Sequence, residues 1–114
     1  MAHYEQVLSG DVDALVAHLD RAIPAGSVTA KLEDHGDYRL GDARMVVRVY
    51  ERYSALGGNR VSLCISVLAV GTELSLSAVT AGGSQAVFFK LNTFGESAFL
   101  DRAVSAIQGW SGTP

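Results

Sequence analysis

Arg44, Arg48, Tyr50 and Arg52 occupy alternate positions of one β-prone segment, so their side chains leave the same face of a strand. Guanidinium groups hold carboxylates and phosphates through paired hydrogen bonds, and they stack on flat rings. Three of them around a tyrosine could bind an anionic or planar ligand. The plain alternative is a solvated outer face, which any one-sided antiparallel sheet requires. Gly82, Gly83 and Ser84 suggest a second anion site, a concave run of backbone amides, and Gly57-Gly58-Asn59-Arg60 is a similar loop. Glycine pairs more often serve turns, and neither loop matches a phosphate-binding fingerprint.

The remaining candidate chemistry is sparse. Glu51 is out of phase with the arginines and is expected to point inward at the sheet end. There it needs a partner, an arginine or a rim amide; a general-base role is the sharper alternative. The three histidines, His3, His18 and His35, are spaced neither with one another nor with Cys64 as metal ligands would be. Cys64 lies among serines in mid-strand, where an unreactive thiol is the default. No serine sits in a nucleophile elbow. The expectation is therefore no metal, no cofactor and no catalytic residue.

The 114 residues carry a formal charge of −3, with 48% hydrophobic and 18% charged residues. That balance excludes a disordered chain and offers no general attraction to nucleic acid or to anionic lipid. A lone cysteine cannot form an internal disulfide, which points to a reducing, cytoplasmic setting. No apolar run approaches the roughly 20 residues that cross a bilayer, and the opening residues lack a signal-peptide pattern. One domain, residues 1–114, is expected.

Positioning these side chains falls to a short strand at 3–8, then a helix. Ser9-Gly10-Asp11 supplies N-cap chemistry, Leu15, Val16, Leu19, Ala22 and Ile23 share a helical face, and Pro24 and Gly26 end the helix. Alternation at Val28, Ala30 and Leu32 predicts a strand over 27–32, followed by a turn at Asp34-His35-Gly36-Asp37. Tyr38 and Leu40 alternate out of step with the next strand, and a bulge near Gly41 would restore the parity.

Segments 43–55, 60–70 and 73–81 read as a meander. If residues 55–59 are the first loop, Val49 faces Ile65, Val47 faces Val67 and Met45 faces Ala69. If Gly71-Thr72 is a two-residue turn, Val67 faces Leu76 and Ile65 faces Ala78. One face is then apolar across three strands, with the arginine stripe outward beside Ser62, Cys64, Ser66, Leu68 and Val70. Thr93-Phe94-Gly95-Glu96 fits a capping box opening a second helix, with Phe99, Leu100, Ala103, Val104 and Ile107 as its stripe and Gly109 as its end.

The motifs RVYERYSALGGNRVSL at 48–63, GGSQAVFFK at 82–90 and NTFGE at 92–96 resemble a bacterial family of small proteins known only as a domain of unknown function. The resemblance runs from about Tyr4 to about Ile107. It implies a bacterial source and carries over no activity, cofactor or site residue.

The expected fold is α+β, a two-layer sandwich in which two helices pack on one face of an antiparallel β-meander, in the order β-α-β-β-β-β-α. The leading functional expectation is a non-enzymatic module that holds a small ligand or a protein on the outward sheet face. Leu68, Val70 and Val79 there would also suit a homodimer. The second expectation is a small enzyme or hydrophobic-ligand carrier with a cavity between helices and sheet and Glu51 as its polar group. Neither nucleic acid nor membrane is an expected partner.

Overall fold

A computed structural model describes residues 2–25, 29–53, 60–82 and 89–110, without the side chains of 89–97. The chain order is β1 (Ala2–Ser9), α1 (Val12–Ala25), β2 (Lys31–Leu40), β3 (Ala43–Tyr53), β4 (Arg60–Val70), β5 (Glu73–Gly82) and α2 (Phe89–Gln108). The five strands form one antiparallel sheet in the order β1-β5-β4-β3-β2. This is the α+β arrangement that the sequence predicts.

Asp11 caps α1, its Oδ2 accepting a hydrogen bond from the Ala14 amide at 2.9 Å. Leu15, Leu19 and Ile23, one above the other on one side of the helix, are fully buried. On α2, Phe99, Ala103 and Ile107 do the same. The sheet answers with Val61, Leu63, Ile65, Val67 and Ala69 of β4, and with Leu74, Leu76 and Ala78 of β5. Their strict alternation with exposed or half-buried residues marks a sheet covered on one face only. His18 Nε2 lies 2.8 Å from the Ala106 carbonyl oxygen and ties the two helices together. The helix α2 runs a turn further upstream than the capping box predicts, beginning at Phe89.

Two turns set the register. Gly41 and Gly71 have φ of 59° and 61°, each first in a two-residue hairpin loop, and no non-glycine residue among those described has a positive φ. That combination is the type II′ turn, which needs glycine at its first position. The β4–β5 register is the one predicted, Val67 facing Leu76 and Ile65 facing Ala78.

Two expectations are corrected. Asp34-His35-Gly36-Asp37 is not a turn but the middle of β2. The reversal is made by Gly41-Asp42, and the parity change comes from an irregularity at Glu33 rather than near Gly41. β2 is an edge strand, where charged residues oppose pairing with another chain. Tyr38 covers Gly36: a Cβ there would lie 2.7 Å from the ring.

The second correction concerns β3. Tyr53, not Ser54, faces Arg60, so Val49 lies opposite Cys64 instead of Ile65, Val47 opposite Ser66 and Met45 opposite Leu68. A shift of one residue exchanges the faces of the whole strand. Val46 and Tyr50 enter the core, while Met45, Val47 and Val49 turn to the face without helices.

Candidate functional site

The shift in β3 carries the arginine stripe with it. Arg44, Arg48, Tyr50 and Arg52 stand on the helix-bearing face, so their expected outward placement is overturned. Asp13 and Asp20 lie seven residues apart on α1, two turns or about 10.5 Å, and Arg44 and Arg48 lie four apart on β3, about 13.5 Å. Long side chains close the difference.

Arg44 donates from Nε and Nη2 to the two carboxylate oxygens of Asp37 at 2.9 and 2.7 Å, and from Nη2 to Asp13 Oδ1 at 2.9 Å. This hydrogen bonding holds the carboxyls of Asp13 and Asp37 below the usual aspartate range and pushes the guanidinium higher still. Arg48 Nε lies 3.3 Å from both oxygens of Asp20, and the Tyr50 hydroxyl donates to Asp20 Oδ1 at 2.5 Å. Arg52 lies over the Phe99 ring, 4.8 Å from its centroid, and burial, reinforced by Arg102, lowers its pKa. The stripe thus fastens α1 and α2 to the sheet: aspartates occupy two of its cations and a ring lies beneath the third.

Gly82 ends β5 opposite Val61, and a Cβ on it would sit 2.5 Å from the Arg60 carbonyl oxygen. Close approach of two strands accounts for this glycine. Gly83 and Ser84 lie outside the described residues, as do Gly57, Gly58 and Asn59. Glu51 points to the bare face, where Arg60 Nη2 and Ser62 Oγ, the latter at 3.2 Å, donate to its carboxylate. The expectation that an arginine pairs with it holds, although its inward direction does not.

The bare face is built from odd-numbered residues of β1, β3 and β5 and even-numbered residues of β4. Facing pairs across the strands form three central rows: Met45, Leu68 and Ser75; Val47, Ser66 and Ser77; Val49, Cys64 and Val79. None of these nine positions is an acid, a base or a histidine. At the end of the face nearest Gly41 and Gly71, Val7, Tyr38, Leu40 and Val70 are 77, 63, 85 and 47% exposed, and Leu68 is 42% exposed. Two shallow hollows of about 280 and about 270 Å³ share Met45 and Leu68; Glu5, Ser66, Ser75 and Ser77 line one, Tyr38 and Leu40 the other.

One cluster on this face escaped the sequence reading because it needs the β1–β5 pairing. His3 Nε2 lies 3.3 Å from Ser77 Oγ and 3.0 Å from Glu5 Oε2. A serine relay requires the hydroxyl on one ring nitrogen and the carboxylate on the other. Here both meet Nε2, so the carboxylate competes with the serine instead of orienting the ring. Among the described residues no group of three or more histidine, cysteine or acidic side chains is arranged to hold a metal ion. No helix among them is long and apolar enough to cross a membrane.

Comparison with curated proteins and with solved structures gives no match. The model of a family of unknown function, DUF6054, matches residues 1–111, so the chain belongs to that family.

Proposed function

We propose that the protein is a non-enzymatic interaction module, acting in the cytosol, that binds a protein partner on the bare face of its sheet. The observation that carries this reading is the uncharged centre of that face, three rows of aliphatic, serine and cysteine side chains continued at the hairpin end by exposed Val7, Tyr38, Leu40 and Val70. A centre without charge inside a charged rim is the anatomy of a protein interface, whose core is depleted of charged residues. The charges of the face keep to its perimeter: Glu5 on the β1 edge, Lys31 and Asp34 on the β2 edge, and Glu73 and the Glu51–Arg60 pair at strand ends.

The space between helices and sheet is taken up by Leu15, Leu19, Leu63, Ile65, Phe99 and Ile107, all fully buried. Among the described residues every buried side-chain polar atom has a hydrogen-bond partner. Both facts favour the outer surface over an internal carrier site.

Photo-crosslinking inside the producing cell tests the reading. A photoreactive residue in place of Ser75 or Tyr38 should yield protein adducts that disappear when Leu68→Asp is added, whereas the same residue in place of Arg102 on α2 should not. Adducts from Arg102 alone, or none from Ser75 and Tyr38, would overturn it.

A further inference from the structure

We infer that the partner of the bare face is a second copy of this chain, two sheets packing face to face into a four-layer dimer with the helices outermost. This assignment rests on the interaction reading of that face and names its partner.

Size supports it first. Five strands about 4.8 Å apart and eight residues at about 3.4 Å per residue make a face on the order of 24 by 27 Å, roughly 650 Å². A pair of such faces removes about 1,300 Å² from water, within the range of specific, stable interfaces. Composition supports it second. A two-fold interface sets one patch against itself, so any charge near the axis meets its own copy or an apolar neighbour. The three central rows present no such charge, and Glu5, Lys31, Asp34 and Glu73 lie where an interface stays wet. Side-chain size supports it third: Met45, Val47 and Val49 form a ridge along β3 beside the smaller Cys64, Ser66, Ser75 and Ser77 of β4 and β5, and a two-fold axis that sets the ridge of one copy over the small side chains of the other lets two sheets pack at about 10 Å.

The β2 edge argues against strand addition there as the mode of association. β2 places Lys31, Glu33, Asp34, His35, Asp37 and Arg39 along its length, the charged pattern that opposes edge-to-edge pairing.

Sedimentation equilibrium of the purified full-length chain tests the inference. The wild type should sediment at twice the 12.0 kDa of one chain. Leu68→Asp and Ser75→Lys each add a charge at a position exposed in the single chain, so both should fold, with unchanged circular dichroism, and weaken the dimer at least about 100-fold. The thiol of Cys64, in a central row, should react slowly in the wild type and faster on dilution or in either variant. A wild type that remains at 12.0 kDa at high micromolar concentration overturns the dimer, as does a dimer indifferent to both charges. If the chain is monomeric, photo-adducts from Ser75 to a different protein preserve the interaction reading, and their absence removes both.

Discussion

The Tyr50 hydroxyl donates to Asp20 Oδ1 at 2.5 Å, joining β3 to the second half of α1. Tyr50 has no exposed surface; burial, then the hydrogen bond to Asp20 and its negative charge, push the phenol well above its ordinary value of 10.0. The folded state thus favours the protonated form, and the stability this confers is complete below pH 10.0 and lost as pH rises beyond it. Alkaline titration followed by tyrosinate absorbance should show part of the signal, one tyrosine of four, appearing only as the chain unfolds. Four tyrosines ionising while the fold persists would contradict this placement.

Asp20 supplies the acceptor for that buried donor. Asp20→Ala should cost about 1–3 kcal/mol, because the phenol loses its partner inside the core. Asp20→Asn, which keeps an acceptor, should cost less. Adding Tyr50→Phe to the alanine variant should recover part of the loss, since it removes the orphaned hydroxyl. Urea denaturation of the single and double variants measures all three.

Asp13 and Asp37 behave as the opposite case. Arg44 hydrogen bonds to both and lowers their pKa from 3.8, so the stabilisation is present above 3.8 and disappears as pH falls through the depressed values. Both carboxylates face solvent, so the effect is small and salt-sensitive. The difference in Tm between wild type and Arg44→Met should be constant from about pH 8 to about pH 5 and should narrow below 3.8.

Gly82 has a steric role. A methyl group there would approach the Arg60 carbonyl oxygen to 2.5 Å and the Val61 Cα to 2.8 Å, and backbone cannot swing aside as a side chain does. Gly82→Ala should therefore force β4 and β5 apart and cost about 1–3 kcal/mol, seen as a lower denaturation midpoint. A neutral substitution would reopen the reading of this glycine as part of a ligand loop.

The β4–β5 hairpin was legible in the sequence because a two-residue turn at Gly71-Thr72 admits one register, and that register puts Ile65, Val67, Leu76 and Ala78 on one side. The outward set Ser62, Cys64, Ser66, Leu68 and Val70 came with it. β3 was not legible in the same way. Six residues, 54–59, separate it from β4 in the sequence, and a connection of that length admits either of two neighbouring registers. Local pattern favoured Met45, Val47 and Val49 inward, since they alternate without a charge. Tertiary structure reverses this, because only Val46 and Tyr50 of the other set enter the core while Arg44 and Arg48 reach across to Asp13 and Asp20. The signal available in advance was the seven-residue spacing of those aspartates against the four-residue spacing of the arginines. The edge strand β2 misled for a related reason: Asp34 and Asp37 oppose association at an unpaired edge, and elsewhere the same residue type, with glycine, favours turns.

The functional reading depends on which side of β3 meets the helices, and cross-strand Hα–Hα nuclear Overhauser contacts report this most directly. Contacts are predicted within the facing pairs Val49–Cys64 and Val47–Ser66, or within the alternate set Arg48–Ile65 and Tyr50–Leu63, whichever is not hydrogen-bonded. Contacts instead between Val49 and Ile65 and between Val47 and Val67 would return the arginines to solvent and bury the side chains on which the proposed interface is built.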